Sequence, residues 1–195
     1  HAFRQILTNA RTGGVPSMRT HEALAAFMTE HLTTQAMTHY LLQCTQITDV
    51  NRVLFVDQQH PGIADYLSTL TLVGLKEHFG QQCSPLFPAP WIYRDYDGDV
   101  SHLYGRGFGT TRLLDPDLRA ENELSGATDE LRYQDFDTLV VGSISRNAEL
   151  AEELARYFAP DRTIWIHGED TPPLPEDMRT YRQAGAHLFV RSIDV

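Results

Sequence analysis

The chain has 195 residues, of which 42% are hydrophobic and 22% charged, enough for one full core and short for two. That balance excludes a disordered tail, a low-complexity array and a membrane bundle. Sixteen basic residues against 26 acidic give a net charge of -10, with no Lys/Arg stripe to displace counterions, so neither nucleic acid nor an anionic membrane surface is an expected partner.

Residues 1–19 carry Gly13, Gly14 and Pro16 among polar groups and read as an irregular lead-in. From His21 to Cys44 the apolar positions Leu24, Phe27, Met28, Leu32, Ala36, Tyr40 and Leu41 recur at three and four, which predicts one amphipathic helix. Its stripe packs either on the chain's own sheet or, because the helix precedes the first strand, across a homodimer through helix 21–44. Residues 1–50 form this lead-in and helix, and residues 51–195 form the α/β domain.

Arg52-Val-Leu-Phe-Val56 is a buried strand ending in the polar turn Asp57 to Gly62. A helix follows to Phe79, stopped by Gly80, and Cys83 to Phe87 makes a second strand. Residues 88–136 then break the rhythm with prolines, glycines and the aromatics Trp91, Tyr93, Tyr96, Tyr104 and Phe108. They read as an irregular aromatic insertion, and a connection of that length usually has a function or a contact. Thr138 to Gly142 is a third strand, Asn147 to Phe158 a helix and Arg162 to Ile166 a fourth strand. Pro175 to Ala184 is a short helix, and His187 to Val190 is the last strand. The alternation predicts an α/β fold of three layers, with a mostly parallel sheet preceded by an amino-terminal amphipathic helix.

Ligands of such sheets sit outside the carboxyl ends of the strands, where the strand order reverses. That rule nominates Asp57, Gln58 and His60 after the first strand, Gly142 and Ser143 after the third, His167, Glu169 and Asp170 after the fourth, and Arg191 after the last. A carboxylate there can orient a hydroxyl-rich ligand, and a Gly-Ser turn opening a helix offers N–H groups to an anion. The same polar residues also cap helices and close turns, which is the plainer reading of each.

Gly105-Arg-Gly-Phe-Gly109 is not a dinucleotide fingerprint, Gly142-Ser-Ile-Ser145 lacks the second glycine of a nucleophile elbow, and no phosphate-loop motif occurs. His167, Glu169 and Asp170 are too close in sequence to converge on one ion unaided. No metal and no cofactor are expected. Cys44 and Cys83 lie far apart without C-x-x-C spacing, so a reducing, cytoplasmic compartment is expected. No apolar run reaches the roughly 18 residues of a membrane span. The chain opens on His1 and not Met, which points to a tag or to the ordered part of a longer protein.

Several stretches resemble the amino-terminal, Rossmann-like domain of glycosyltransferase-like proteins of the GT-B type, in particular the group related to spore-maturation glycosyltransferases. They are the opening strand with Asp57, Tyr93-Arg-Asp-Tyr96, Leu103-Tyr-Gly-Arg-Gly-Phe108, Asp137 to Ser143, Ile164-Trp-Ile-His-Gly-Glu-Asp170 and Phe189-Val-Arg191, within residues 52–195. The resemblance implies an acceptor-side or partner-binding domain for hexosyl transfer, not catalytic by itself, since such enzymes hold the nucleotide-sugar mainly on a second domain. Asp57 or His60 would then be the base, with Gln58, Gly142, Ser143, His167, Glu169, Asp170 and Arg191 contacting a sugar or glycan acceptor. His167 stands where an Asp is expected.

A second expectation comes from another class. Asp57 after a hydrophobic strand and Ala184-Gly-Ala-His-Leu-Phe189 are reminiscent of a receiver-like signalling or protein-interaction module. Gln58, Gln59 and Arg191 stand where receivers carry an acid and a lysine.

Overall fold

The computed structural model describes residues 17–58, 66–125 and 133–191. Strands β1 (Val53–Val56), β2 (Cys83–Pro85), β3 (Thr138–Val141), β4 (Thr163–His167) and β5 (His187–Val190) form one sheet in the order β2-β1-β3-β4-β5. Every pairing is parallel, with Val56 opposite Val141, Val141 opposite Trp165 and His167 opposite Val190. The helices among the described residues are α1 (Met18–His31), α2 (Thr34–Thr45), α3 (Tyr66–Phe79), α4 (Glu121–Ser125), α5 (Ile144–Leu154) and α6 (Pro175–Gln183).

Every residue of β1, β3 and β4 is buried, as expected of strands covered on both faces. Alternate side chains face opposite layers. Val53, Phe55, Val140, Ile164 and Ile166 pack with Leu41 of α2 and with Leu72, Val73 and Leu75 of α3. Leu54, Val56, Leu139, Val141 and Trp165 pack with Ile144, Ala151 and Leu154 of α5 and with Tyr181 of α6. The fold is therefore three-layered α/β. No helix among the described residues is long and apolar enough to cross a membrane.

The single helix expected over 21–44 is in fact two. Thr33 is extended, at φ -100 and ψ 162, and its hydroxyl accepts from the Ala36 N–H to cap α2, while the Leu32 N–H donates to Met28 O and closes α1. A β-branched, cap-forming residue after the last turn breaks the helix without any Gly or Pro. α2 then lies close on α3, where a Cβ on Gly74 would collide with the Thr34 carbonyl and the Thr38 hydroxyl.

Among the described residues the aromatic insertion holds 3-10 turns at Pro90–Ile92, Tyr104–Gly107 and Pro116–Leu118, then α4 and a further 3-10 turn at Tyr133–Asp135. It has its own inward side, because Ile92, Tyr93 and Leu114 are buried. Lys76, the single lysine in the sequence, holds it down from α3. Its buried ammonium pairs with the buried Glu123 carboxylate and donates to Leu118 O at 3.3 Å. Glu123 also accepts from Tyr93 Oη at 2.8 Å and from the Ala120 N–H at 2.9 Å. The Arg119 guanidinium lies 4.3 Å from the centre of the Tyr93 ring and grips Asp95 with two bonds of 3.0 and 2.6 Å. Burial, then the Glu123 charge, pushes the Tyr93 phenol up. Burial likewise pushes the Cys83 thiol up to about 12, opposed by Lys76, and leaves it unreactive.

Lys76→Met strands a buried carboxylate, so it should destabilise the chain by about 3 kcal/mol or more. Loosening of the insertion should also let a thiol reagent reach the buried Cys83, which in the parent chain should be modified only on unfolding, whereas the exposed Cys44 should react at once. Equal modification rates at Cys83 in parent and variant would show that the ion pair does not hold the insertion in place.

Candidate functional site

The order β2-β1-β3-β4-β5 reverses direction between β1 and β3, so the switch point of the sheet lies where Val56 and Val141 end their strands. Asp57 is the next residue after β1, and its side chain is wholly buried. Its carboxylate accepts from Ser68 Oγ at 2.5 Å, from Arg146 Nη2 at 2.9 and 2.8 Å and from Asn147 Nδ2 at 3.0 Å. These donors arrive from both helical layers, Ser68 from α3 and Arg146 and Asn147 from the first turn of α5. Asn147 adds two further bonds, from Nδ2 to Ser143 O at 2.7 Å and from the Gln58 N–H to its own Oδ1 at 2.9 Å. With Cα torsions of -118 and 22 it kinks the helix it sits in.

The next layer of the network belongs to Glu169. One of its oxygens accepts from Ser143 Oγ at 3.1 Å and from Ser145 Oγ, so the chain's own carboxylate lies at the amino end of α5, where the helix dipole favours negative charge. Burial would raise the Glu169 carboxyl, but the hydroxyls of Ser145 and Ser143 and the neighbouring Arg146 and His167 outweigh it and hold the group below the usual carboxylate range. His167 ends β4, nearly buried, and its Nδ1 has no hydrogen-bond partner among the described residues.

The remaining nominated residues divide clearly. Gly142 spends its N–H on Val56 O at 2.9 Å, extending the sheet, and has no room for a side chain because a Cβ would strike Ser68 and Phe55. Asp170 and Arg191 form an exposed pair at 2.7 Å beyond β4 and β5. Gln58 is exposed, and His60 lies outside the described residues. β1, β3 and β4 are neighbours, so Asp57, Ser143 and Glu169 become members of one hydrogen-bonded network, in which Asn147 bridges Asp57 to Ser143 and Arg146 pairs with Asp57.

Beside this network, outside the carboxyl ends of β1 and β2, lies a cavity of about 240 Å³. Its walls are Phe55, Leu72, Phe87, Pro88 and Trp91, and Asp57 and Gln58 supply its polar end. Trp91 comes from the start of the insertion and is half-buried, with its ring 6.2 Å from that of His102 in an edge contact. The cavity thus joins a flat apolar wall to hydrogen-bonding groups, the usual make-up of a small-molecule seat.

The chain matches no family model, no curated protein and no solved structure. Function therefore has to be argued from these side chains alone. Arg146 and Asn147, which organise the network, were not among the residues nominated from sequence. The one signal for them was their place in the Ser-Ile-Ser-Arg-Asn run directly behind a strand end.

Removing the Asp57 carboxylate should leave the Arg146 guanidinium buried without its counter-ion, so Asp57→Ala is expected to cost about 3–5 kcal/mol in urea unfolding. A cost below about 1 kcal/mol would mean that the network does not carry the sheet edge. Glu169 makes a pH-dependent contribution. Because its folded-state carboxyl is lowered from the ordinary value of 4.5, its stabilisation is present above that value and is lost as the pH falls through the folded-state value. Glu169→Gln should therefore be less stable than the parent at pH 7 and converge with it in strong acid, and a gap that is constant with pH would contradict the assignment.

Proposed function

We propose that this chain is the acceptor-side domain of a carbohydrate-active, glycosyltransferase-like protein, and that the cavity beside β1 and β2 seats one sugar ring of the acceptor. The observation that carries the reading is the pairing of Trp91 and Phe87 with Gln58, over a floor set by Asp57, around a space of about 240 Å³. A pyranose presents an apolar C–H face and a rim of hydroxyls, and this cavity offers an aromatic wall and, in Gln58, a hydrogen-bonding group at its polar end. The strand order is compatible. A Rossmann sheet of order 3-2-1-4-5-6 without its outer third strand reads 2-1-3-4-5 on renumbering, and here the aromatic insertion follows β2 in place of that strand.

In this reading the domain binds and orients. The four hydrogen bonds that Asp57 accepts from three donors occupy the lone pairs a general base would need, so the carboxylate holds α3 and α5 in place, and its part in the seat is to fix Gln58, through Asn147, and the floor of the cavity. Self-association of two copies through the amino-terminal helices belongs to the same proposal.

A receiver-like interaction module is the second reading, favoured by the strand order, which signalling receivers share. It is the weaker of the two because Arg146 already occupies the carboxylate that a receiver would offer to a cation, and because the residue that follows β3 is Gly142, which has no side chain to modify.

Titration of the full chain with neutral hexoses and their methyl glycosides should quench tryptophan fluorescence saturably at millimolar concentration. Trp91→Ala and Gln58→Ala should each weaken that binding at least about tenfold, the effect of losing about 1.4 kcal/mol. No saturable response to any sugar would reject the seat. Turnover of a UDP- or GDP-sugar by this chain would reject the division of labour between binding here and donor chemistry elsewhere.

A further inference from the structure

We infer that the groove between α1, α2 and α3 is the docking surface for a second copy of this chain, which deepens the self-association proposed above and is independent of the sugar seat. The groove has a volume of about 880 Å³ and is walled by Leu32, Met37, Tyr40, Leu67 and Leu70. It continues onto α1, which has no buried residue although it carries Phe27 at 47% exposure and Met28 at 49%, with Leu32 at 67% just beyond its end. A helix of 14 residues is marginal in water without a packed face, and an exposed apolar surface of this kind normally marks an interface.

Charge selects the occupant. Across residues 17–45 the formal charges are Arg19 against Glu22 and Glu30, which leaves -1, whereas the whole chain carries -10. Two copies that met through other surfaces would bring acid against acid, and here they would not. A strongly basic partner would be drawn to the acid-rich remainder of the chain and away from this groove. The groove lining also carries both members of a complementary pair, Glu30 and, besides its neighbour His31 at 3.7 Å, His39. A two-fold contact needs that self-complementarity, since each carboxylate can then face the imidazole of the other copy.

The test is sedimentation velocity of the full chain from about 1 to 200 µM, paired with hydrogen–deuterium exchange at the two ends of that range. The expected result is a concentration-dependent shift from 22.1 kDa to twice that mass, with amide protection gained at residues 30–43 and not at the sugar cavity. Leu32→Asp and Tyr40→Asp should each raise the dissociation constant at least about thirtyfold. Their circular dichroism melts as dilute monomers should stay within a few degrees of the parent. A chain that stays at 22.1 kDa throughout overturns the inference. If residues 30–43 are already protected in that monomer, the groove is covered from within the chain. A dimer whose protection lies elsewhere overturns it as well. The exchange measurement needs no variant, so a misfolded substitution cannot hide the answer, and a sugar-binding monomer would refute this inference while leaving the proposed acceptor seat intact.

Discussion

A single carboxylate ties the three layers of this fold together. Asp57 leaves β1 at the switch point and receives donors from α3 on one side of the sheet and from α5 on the other. A buried charge with fewer partners would be a liability, since the cost of desolvating it exceeds what one pair returns. Here the guanidinium, the amide and the hydroxyl share that cost. They also set where α5 starts, because Asn147 both holds Asp57 and bonds the backbone of Ser143. The positions of Ser143 and Ser145, and through them of Glu169, follow from this arrangement.

Much of this architecture was legible in the sequence. The runs at residues 53–56, 138–141 and 163–166 became strands within a residue or two of the predicted ends, since continuous apolar runs of that length suit strands buried on both faces, and the run at 187–190 became the more exposed edge strand β5. The strand-end rule also nominated Asp57, Ser143 and Glu169, which share one hydrogen-bonded network at the carboxyl ends of the strands. The break between α1 and α2 was not legible, because Leu32-Thr33-Thr34 contains neither Gly nor Pro and the apolar period runs on across it. Only the cap geometry of Thr33 reveals the break.

The partners of the site residues were hidden for a different reason. Arg146 and Asp57 are 89 residues apart and Lys76 and Glu123 are 47 apart, and no local pattern links members of such pairs. In a chain with 26 acidic residues, no carboxylate advertises which cation it will meet. The tyrosine-rich stretch shows the same limit. Tyr93, one of the aromatics that mark the insertion, is an interior residue bonded to Glu123, whereas Trp91, two residues earlier, lines the cavity. Two positions along an irregular segment separate a core side chain from a wall of the cavity, and no helical or strand period exists there to tell them apart.

The place of Lys76 has a consequence for how this protein can be handled and marked. It supplies the only ε-amine of the chain, and that amine is sealed under the insertion. Lysine-directed acylation, ubiquitination and cross-linking all need an accessible ε-nitrogen, and the folded chain offers none. Any lysine-dependent tagging or turnover of this polypeptide must wait until the segment above α3 has lifted away.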